Sequence, residues 1–149
     1  MKIIANNKKA FHDYFILQKY EAGIVLQGTE VKSMREGKAN LKESYARIEN
    51  GEFWIVGMHI SPYKQGNIYN HDPVRKRKLL MHASEIERLR KSTEEKGLTI
   101  VPLSLYFSGG RVKVELGLAR GKHLYDKRDD TATRDAKREM DRARKKVAL

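Results

Sequence analysis

The chain has 149 residues, with 31 Lys and Arg against 19 Asp and Glu, and carries a formal charge of +12 at pH 7. That length fits one ordinary domain with an appendage, and 40% hydrophobic residues are enough to bury a core, which excludes wholesale disorder. With no cysteine, disulfides, thiolate metal ligands and cysteine nucleophiles are excluded, and a reducing compartment, the cytoplasm, is the expected address.

The N-terminal residues Met1 to Lys8 hold no signal-peptide core, and no uncharged stretch approaches the ~20 apolar residues of a membrane span. From Tyr14 to Leu26, apolar residues alternate around Glu21-Ala22-Gly23, which predicts two strands. Thr29, Val31, Met34 and Gly37 then predict a short helix capped by Thr29 and stopped by glycine. Tyr45 to Glu49, the turn Asn50-Gly51 and the return Phe53 to Ile60 predict a hairpin, because Asn-Gly suits the positive φ angles of a two-residue turn. Between Ser61 and Lys78 periodicity is lost around Pro62, Gly66, Asn67, Asn70 and Pro73, and a long loop is expected.

The clearest helix is predicted from Ser84, a capping residue with Glu87 three positions on, to Gly97, with Ile86 and Leu89 turned inward. Leu98 to Phe107 and Arg111 to Ala119, joined at Ser108-Gly109-Gly110, predict a second hairpin. Six or so strands, mostly hairpin-paired, with inserted helices make a mainly β chain, the content of a small antiparallel barrel over residues 1–120. Beyond Arg120 the composition changes. From that residue on there are 11 Lys and Arg against 6 Asp and Glu, and no aromatic follows Tyr125. Ala132, Ala136, Met140, Ala143 and Val147 recur at helical spacing, a narrow stripe on an otherwise charged helix. Such a helix buries too little to form alone, so residues 121–149 are expected to be disordered in isolation and helical on a polyanionic surface.

Enzymatic chemistry finds little support. The five histidines show no metal-binding spacing, no glycine-rich phosphate loop is present, and neither metal nor cofactor is expected. A nuclease built on Asp129, Asp130 and Asp135 is the rival reading, and a charged flank among arginines is the preferred account of Asp129-Asp130. What remains are aromatics set among cations: Lys8-Lys9-Ala10-Phe11-His12-Asp13-Tyr14, Tyr63-Lys64, Tyr69 and Tyr125-Asp126-Lys127-Arg128. Cations neutralise phosphates and rings stack on unpaired bases, so structured RNA with looped-out bases suits this mixture better than duplex DNA. For Phe11, His12 and Tyr14 strand packing is the competing reading, and for Arg75-Lys76-Arg77-Lys78 the choice is between a solvated loop and an RNA contact. The alanine stripe is a poor face for membrane insertion, and no membrane partner is expected.

Asn7-Lys8-Lys9-Ala10-x-His12-x-Tyr14-x-Ile16 and Tyr20-Glu21-Ala22-Gly23-Ile24-x-Leu26-x-Gly28-Thr29-Glu30-Val31-Lys32-Ser33-Met34-Arg35-x-Gly37-Lys38 closely resemble the SsrA-binding protein family, also called small protein B. The likeness continues through Asp72-Pro73-x-Arg75-x-Arg77-Lys78-Leu79-Leu80, Leu103-Ser104-Leu105-Tyr106, Gly117-x-Ala119-x-Gly121-Lys122 and Asp126-Lys127-Arg128. The resemblance implies an oligonucleotide-binding-type barrel that binds the tRNA-like domain of transfer-messenger RNA and delivers it to stalled bacterial ribosomes in trans-translation. It implies RNA-facing roles for Asn7, Lys8, His12, Glu21 and Leu80, with Lys32 and Arg35 as further candidates. Leu80 suits the core equally. Glu21 suits acceptance of a base N–H or 2′-OH, orientation of a cation, or a cap before Gly23.

The resemblance further implies that the tail becomes helical in the empty decoding site, against 16S ribosomal RNA, and in the mRNA path. Gly121, Lys122 and Tyr125 would form its approach, and Asp126, Lys127 and Arg128 would stand at its root. Lys8-Lys9 stands where arginine-rich pairs are common in the family, and the end Arg144 to Leu149 is short. The alternative from composition is a general RNA chaperone or translation factor on the same barrel.

Overall fold

The computed structural model describes residues 2–65 and 70–122. Its elements in chain order are β1 (Lys2–Asn6), α1 (Lys8–Asp13), β2 (Tyr14–Ile24), α2 (Gly28–Arg35), β3 (Ala39–Asn40), β4 (Tyr45–Glu49), β5 (Glu52–Val56), β6 (His59–Ile60), β7 (Arg77–Leu80), α3 (Ala83–Lys96), β8 (Thr99–Ser108) and β9 (Arg111–Gly121). All pairings are antiparallel. The sheet order β8-β4-β5-β7-β2-β9 returns to β8, closing a six-stranded ring, with β1 added on β8. The closure is narrow, since β2 meets β7 only at Gly23↔Leu80 and Ile24↔Leu79 and β4 meets β8 only at Ala46↔Ile100. The ring is filled by Phe53, Ile55, Leu79, Ile100, Leu105, Val114 and Leu116, with Leu89 of α3 and Met34 of α2 in the same core. A buried side chain of this kind contributes ~1.5–3 kcal/mol.

Both predicted hairpins form. Asn50 and Gly51 have φ of 52° and 78°, as a two-residue turn requires, and β8 and β9 pair from Ser108↔Arg111 to Thr99↔Ala119. Four expectations change. Tyr14 to Ile24 is one strand rather than two: Glu21, Ala22 and Gly23 pair without interruption with Glu115, Val114 and Lys113, and the irregularity lies between Ile16 and Gln18. The run Phe53–Ile60 divides at Gly57, whose Cβ, were it another residue, would stand 2.8 Å from the Glu43 carbonyl oxygen. The chain bends there, and β6 leaves the ring to pair with β3. The loop from Ser61 ends sooner than expected, because Arg77 and Lys78 belong to β7 beside β5. Finally, α1 is a helix the periodicity did not announce.

The helix ends also differ. At α2 the Glu30 carboxylate accepts from the Gln27 N–H at 2.7 Å, while Thr29 places its hydroxyl 2.8 Å from His71 Nδ1. His82 rather than Ser84 stands at the start of α3, and Gly97 ends that helix in the left-handed conformation.

Candidate nucleic-acid interface

α1 lies on the outside of the barrel. Its Asn7 cap holds both ends of the amide on backbone: the oxygen accepts from the Ala10 N–H at 3.3 Å and the nitrogen donates to the Pro102 carbonyl at 2.8 Å. Ala10 then packs into a small second core with Val101, Leu103, Ala119, Tyr14 and Ile16. Gly117 makes that packing possible, since a Cβ there would meet Leu103 at 3.0 Å and Ile16 at 3.2 Å. Asn7, expected at the RNA, is therefore a buried anchor of α1. The helix it anchors turns Lys8, Phe11 and His12 to solvent. The His12 side chain is 79% exposed, with Nδ1 2.9 Å from the Asp13 carboxylate, an acceptor that orients the ring. Lys19 of β2 places its ammonium 5.8 Å over the Phe11 ring, so the helix and the strand share one surface.

Along β2 the alternation of a strand turns Tyr20, Ala22 and Ile24 toward the core and Lys19 and Glu21 outward. Glu21 is not a turn cap. It stands mid-strand opposite Glu115 and accepts a hydrogen bond from the Tyr106 hydroxyl, which reaches across from β8. Burial, together with the bond to Glu21 and the charges of Glu21 and Glu115, pushes the Tyr106 hydroxyl well above its ordinary value, so it remains a donor. Leu80 lies opposite Gly23 on β7 and is 51% exposed, whereas its neighbour Leu79 is in the core. Lys8, His12, Lys19, Glu21 and Leu80 thus lie along one outer face, apolar and cationic, with the Glu21 carboxylate held by Tyr106 beside that of Glu115.

Where β2 begins and β9 ends, the opposite side of the strand pair carries a feature that residue spacing did not reveal. Phe15 pairs with Arg120. The Arg120 guanidinium lies 5.4 Å and the Lys122 ammonium 5.0 Å from the Phe15 ring centre. The only sequence signal was the unbroken run Tyr14-Phe15-Ile16-Leu17, apolar on both faces of a strand. Gly121 and Lys122, expected at the approach of the tail, are tied to the barrel: Gly121 ends β9, and the Lys122 N–H donates to the Asp13 carbonyl at 2.8 Å. The expected boundary after Arg120 therefore falls inside a strand. Tyr69, Tyr125, Asp126, Lys127, Arg128, Asp129, Asp130, Asp135 and the stripe from Ala132 to Val147 lie outside the described residues.

Lys32 and Arg35 are exposed on α2, with the Lys32 ammonium 5.5 Å over the ring of Tyr63 in the long loop. The run Arg75–Lys78 is neither a solvated loop nor a free cationic patch. Arg77 is fully buried and donates Nε to Glu30 at 2.6 Å, Nη1 to the Met58 carbonyl at 2.7 Å and Nη2 to the Pro73 carbonyl at 3.1 Å. Arg75 forks onto the same carboxylate at 2.7 and 3.0 Å. Burial alone would raise the Glu30 carboxyl, but hydrogen bonds from Arg75, the Gln27 N–H and Arg77 hold it below its ordinary value. Lys76 pairs with Glu49 at 2.8 Å, 4.5 Å over the Trp54 ring, and Lys78 pairs with Glu52 at 3.0 Å.

This sequence and geometry have counterparts among known proteins. The family model described as SmpB protein matches residues 4–146. The SsrA-binding protein of Carboxydothermus hydrogenoformans is 66% identical over 142 residues, covering 95% of each chain. That of Ruminiclostridium cellulolyticum is 66% identical over 145 residues, covering 97% of this chain and 94% of its own. Among solved structures, a chain from a study described as "tmRNA-SmpB: a journey to the center of the bacterial ribosome" is 51% identical, with a TM-score of 0.68 and coverage of 91% of this chain and 92% of that one.

Proposed function

Because this chain belongs to the SmpB protein family, we propose that it is an RNA-binding adaptor of trans-translation that binds transfer-messenger RNA through the tRNA-like domain and accompanies it to the bacterial ribosome. The observation that carries this reading is the outer face of α1, β2 and β7. Exposed Phe11 and His12 stack on unpaired bases, Lys8 and Lys19 meet phosphates, and Glu21, fixed by Tyr106, accepts from a base N–H or a 2′-OH. Relatives named SsrA-binding proteins and a similar chain from the tmRNA-SmpB ribosome study support it.

The barrel through Lys122 is the RNA-binding body in this reading, and residues 123–149 are the segment that takes up a helix in the decoding site and mRNA path. Phe15 with Arg120 and Lys122 stands at the root of that segment and offers rings and cations to RNA there. The place of action is the cytoplasm, where the ribosome is. Among the described residues no helix is long and apolar enough to cross a membrane.

A gel-shift titration of the full chain against the tRNA-like domain and against a length-matched generic hairpin, at near-physiological salt, tests the proposal. Counterion release alone gives sequence-blind binding with Kd of ~10⁻⁴ to 10⁻⁶ M. Preference for the tRNA-like domain by about 100-fold or more is expected for a dedicated adaptor. Equal binding of both RNAs leaves only the charge at work and makes a general RNA chaperone the better account.

A further inference from the structure

Between α1, the Leu41–Ser44 turn and the starts of β4 and β8 the barrel wall holds a cavity of about 320 Å³, lined among others by Asp13, Tyr14, Glu43, Tyr45 and Val101. That volume lies at the ~300 Å³ lower end of small-ligand sites. Next to it, sharing Asn7 and Lys9, is a groove of about 270 Å³ lined by Asn6, Lys8, Lys9, Asn40 and Lys42. The two concavities share the Lys9 ammonium and otherwise differ in chemistry. The groove presents three ammonium groups and the amides of Asn6, Asn7 and Asn40, that of Asn7 being held on backbone. The cavity adds to the shared Lys9 two tyrosine rings and two carboxylates, Glu43 beside Lys9 and Asp13 beside His12.

Carboxylates in the wall of a polycationic protein repel an RNA backbone phosphate and, on an RNA, can accept only from base N–H groups or the 2′-OH. Guanine offers two adjacent donors, N1–H and N2–H, to a single carboxylate. Adenine and cytosine place a ring acceptor beside their amine, and uracil flanks its N3–H with carbonyls, which a carboxylate repels. We propose that this cavity takes an unpaired guanine of a bound RNA, with the adjoining lysine groove holding the phosphate of the same nucleotide. The proposal rests on the RNA-binding reading and names the base that one part of that surface selects.

The backbone that carries the reading carboxylate is fixed, while the Glu43 side chain itself is 72% exposed. Glu43 has φ of +68°, a conformation a residue with a side chain seldom keeps unless its surroundings impose it. Gly57, lying against the Glu43 carbonyl, leaves room for that turn, and the Ser44 N–H closes it on the Leu41 carbonyl at 3.0 Å. The Glu43 carboxylate lies 3.7 Å from the Lys9 ammonium, at the point where groove and cavity meet. Tyr45, 42% exposed at the start of β4, supplies a ring for stacking.

The test is an NMR titration of the full chain with GMP, AMP, CMP and UMP, following the Tyr45 ring and the Glu43 amide, repeated with Glu43→Gln and Tyr45→Ala. GMP is expected to move both signals and to bind about tenfold more tightly than the other three. Glu43→Gln should remove that preference with an unchanged melting temperature, and Tyr45→Ala should weaken all four nucleotides. Equal response to the four nucleotides, no response at Tyr45 or Glu43, or a guanine preference that survives Glu43→Gln overturns the subsite. A wild-type chain that still prefers the tRNA-like domain then loses only this subsite, whereas guanine selectivity without that preference removes only the adaptor reading.

Discussion

Two sets of cations in this barrel meet opposite fates. In the run Arg75–Lys78 the two arginines converge on buried Glu30, while Lys76 and Lys78 make exposed pairs with Glu49 and Glu52 and Lys76 also lies over the Trp54 ring. On the outer strands Lys19 rests over Phe11, and Arg120 and Lys122 rest over Phe15. A cation over an exposed ring is held by ~0.5–1 kcal/mol, so an arriving phosphate displaces it at little cost and leaves the ring to a base. A guanidinium buried on a carboxylate is committed to the fold. Clustered positive charge in a sequence therefore does not locate an RNA surface.

The largest effect that tests this contrast is in the buried set. Glu30→Ala leaves Arg77 buried without its carboxylate, and a loss of ~3–5 kcal/mol in unfolding free energy is expected by denaturant titration at pH 7. A loss under about 1 kcal/mol would mean that Arg77 does not depend on Glu30. The pH dependence carries a sign. Because the Glu30 carboxyl in the fold lies below its ordinary value of 4.5, its stabilisation is fully present above that value and is lost as pH falls through the folded one. The stability gap between the parent chain and Glu30→Ala should therefore narrow below pH 4.5 and stay constant above it.

Next in size is a paired comparison of equal charge changes. Arg120→Gln with Lys122→Gln should weaken binding to every RNA alike and lower the salt slope by about one for each phosphate left without its cation, with the melting temperature unchanged. Arg75→Gln should do the reverse, lowering stability by ~1–3 kcal/mol through the two charged hydrogen bonds it removes from Glu30 and leaving the salt slope as it was. A fall in salt slope with Arg75→Gln, or none with the double variant, would erase the distinction between the two sets.

How far the sequence announced these features depends on how local their causes are. The hairpin at Asn50-Gly51 and the end of α3 at Gly97 were legible because one or two residues with positive φ decide them. α1 was not, because six residues leave no periodicity and the helix stands on Ala10 docking against Val101, Leu103 and Ala119, all distant in sequence. The continuity of β2 through Gly23 depends on β9 accepting the whole strand. The fate of Arg77 depends on a glutamate 47 positions earlier. For the candidate surface, Lys8, His12, Glu21 and Leu80 came from motif likeness and all are exposed, whereas Asn7, from the same likeness, is spent on α1. Phe15 escaped notice because the cations it meets, Arg120 and Lys122, come from the other end of the barrel chain.

The smallest expected effect sharpens the contrast where the two regimes touch. Glu21 is a carboxylate on the exposed face, and its neighbour is not a cation but the hydroxyl of Tyr106, a residue that is itself 6% exposed. A neutral donor orients the carboxylate and leaves its charge unspent, so one oxygen remains for an RNA donor. Tyr106→Phe keeps the packing and removes that donor; a stability cost of ~0.5–1.5 kcal/mol is expected. If Glu21 acts through its orientation, the same change should weaken binding to the tRNA-like domain a few-fold, and less than Glu21→Ala does. In a double variant the two effects should fail to add, since Tyr106 has nothing left to orient once Glu21 is gone. Full additivity would separate the tyrosine from the RNA and leave it a residue of the fold alone.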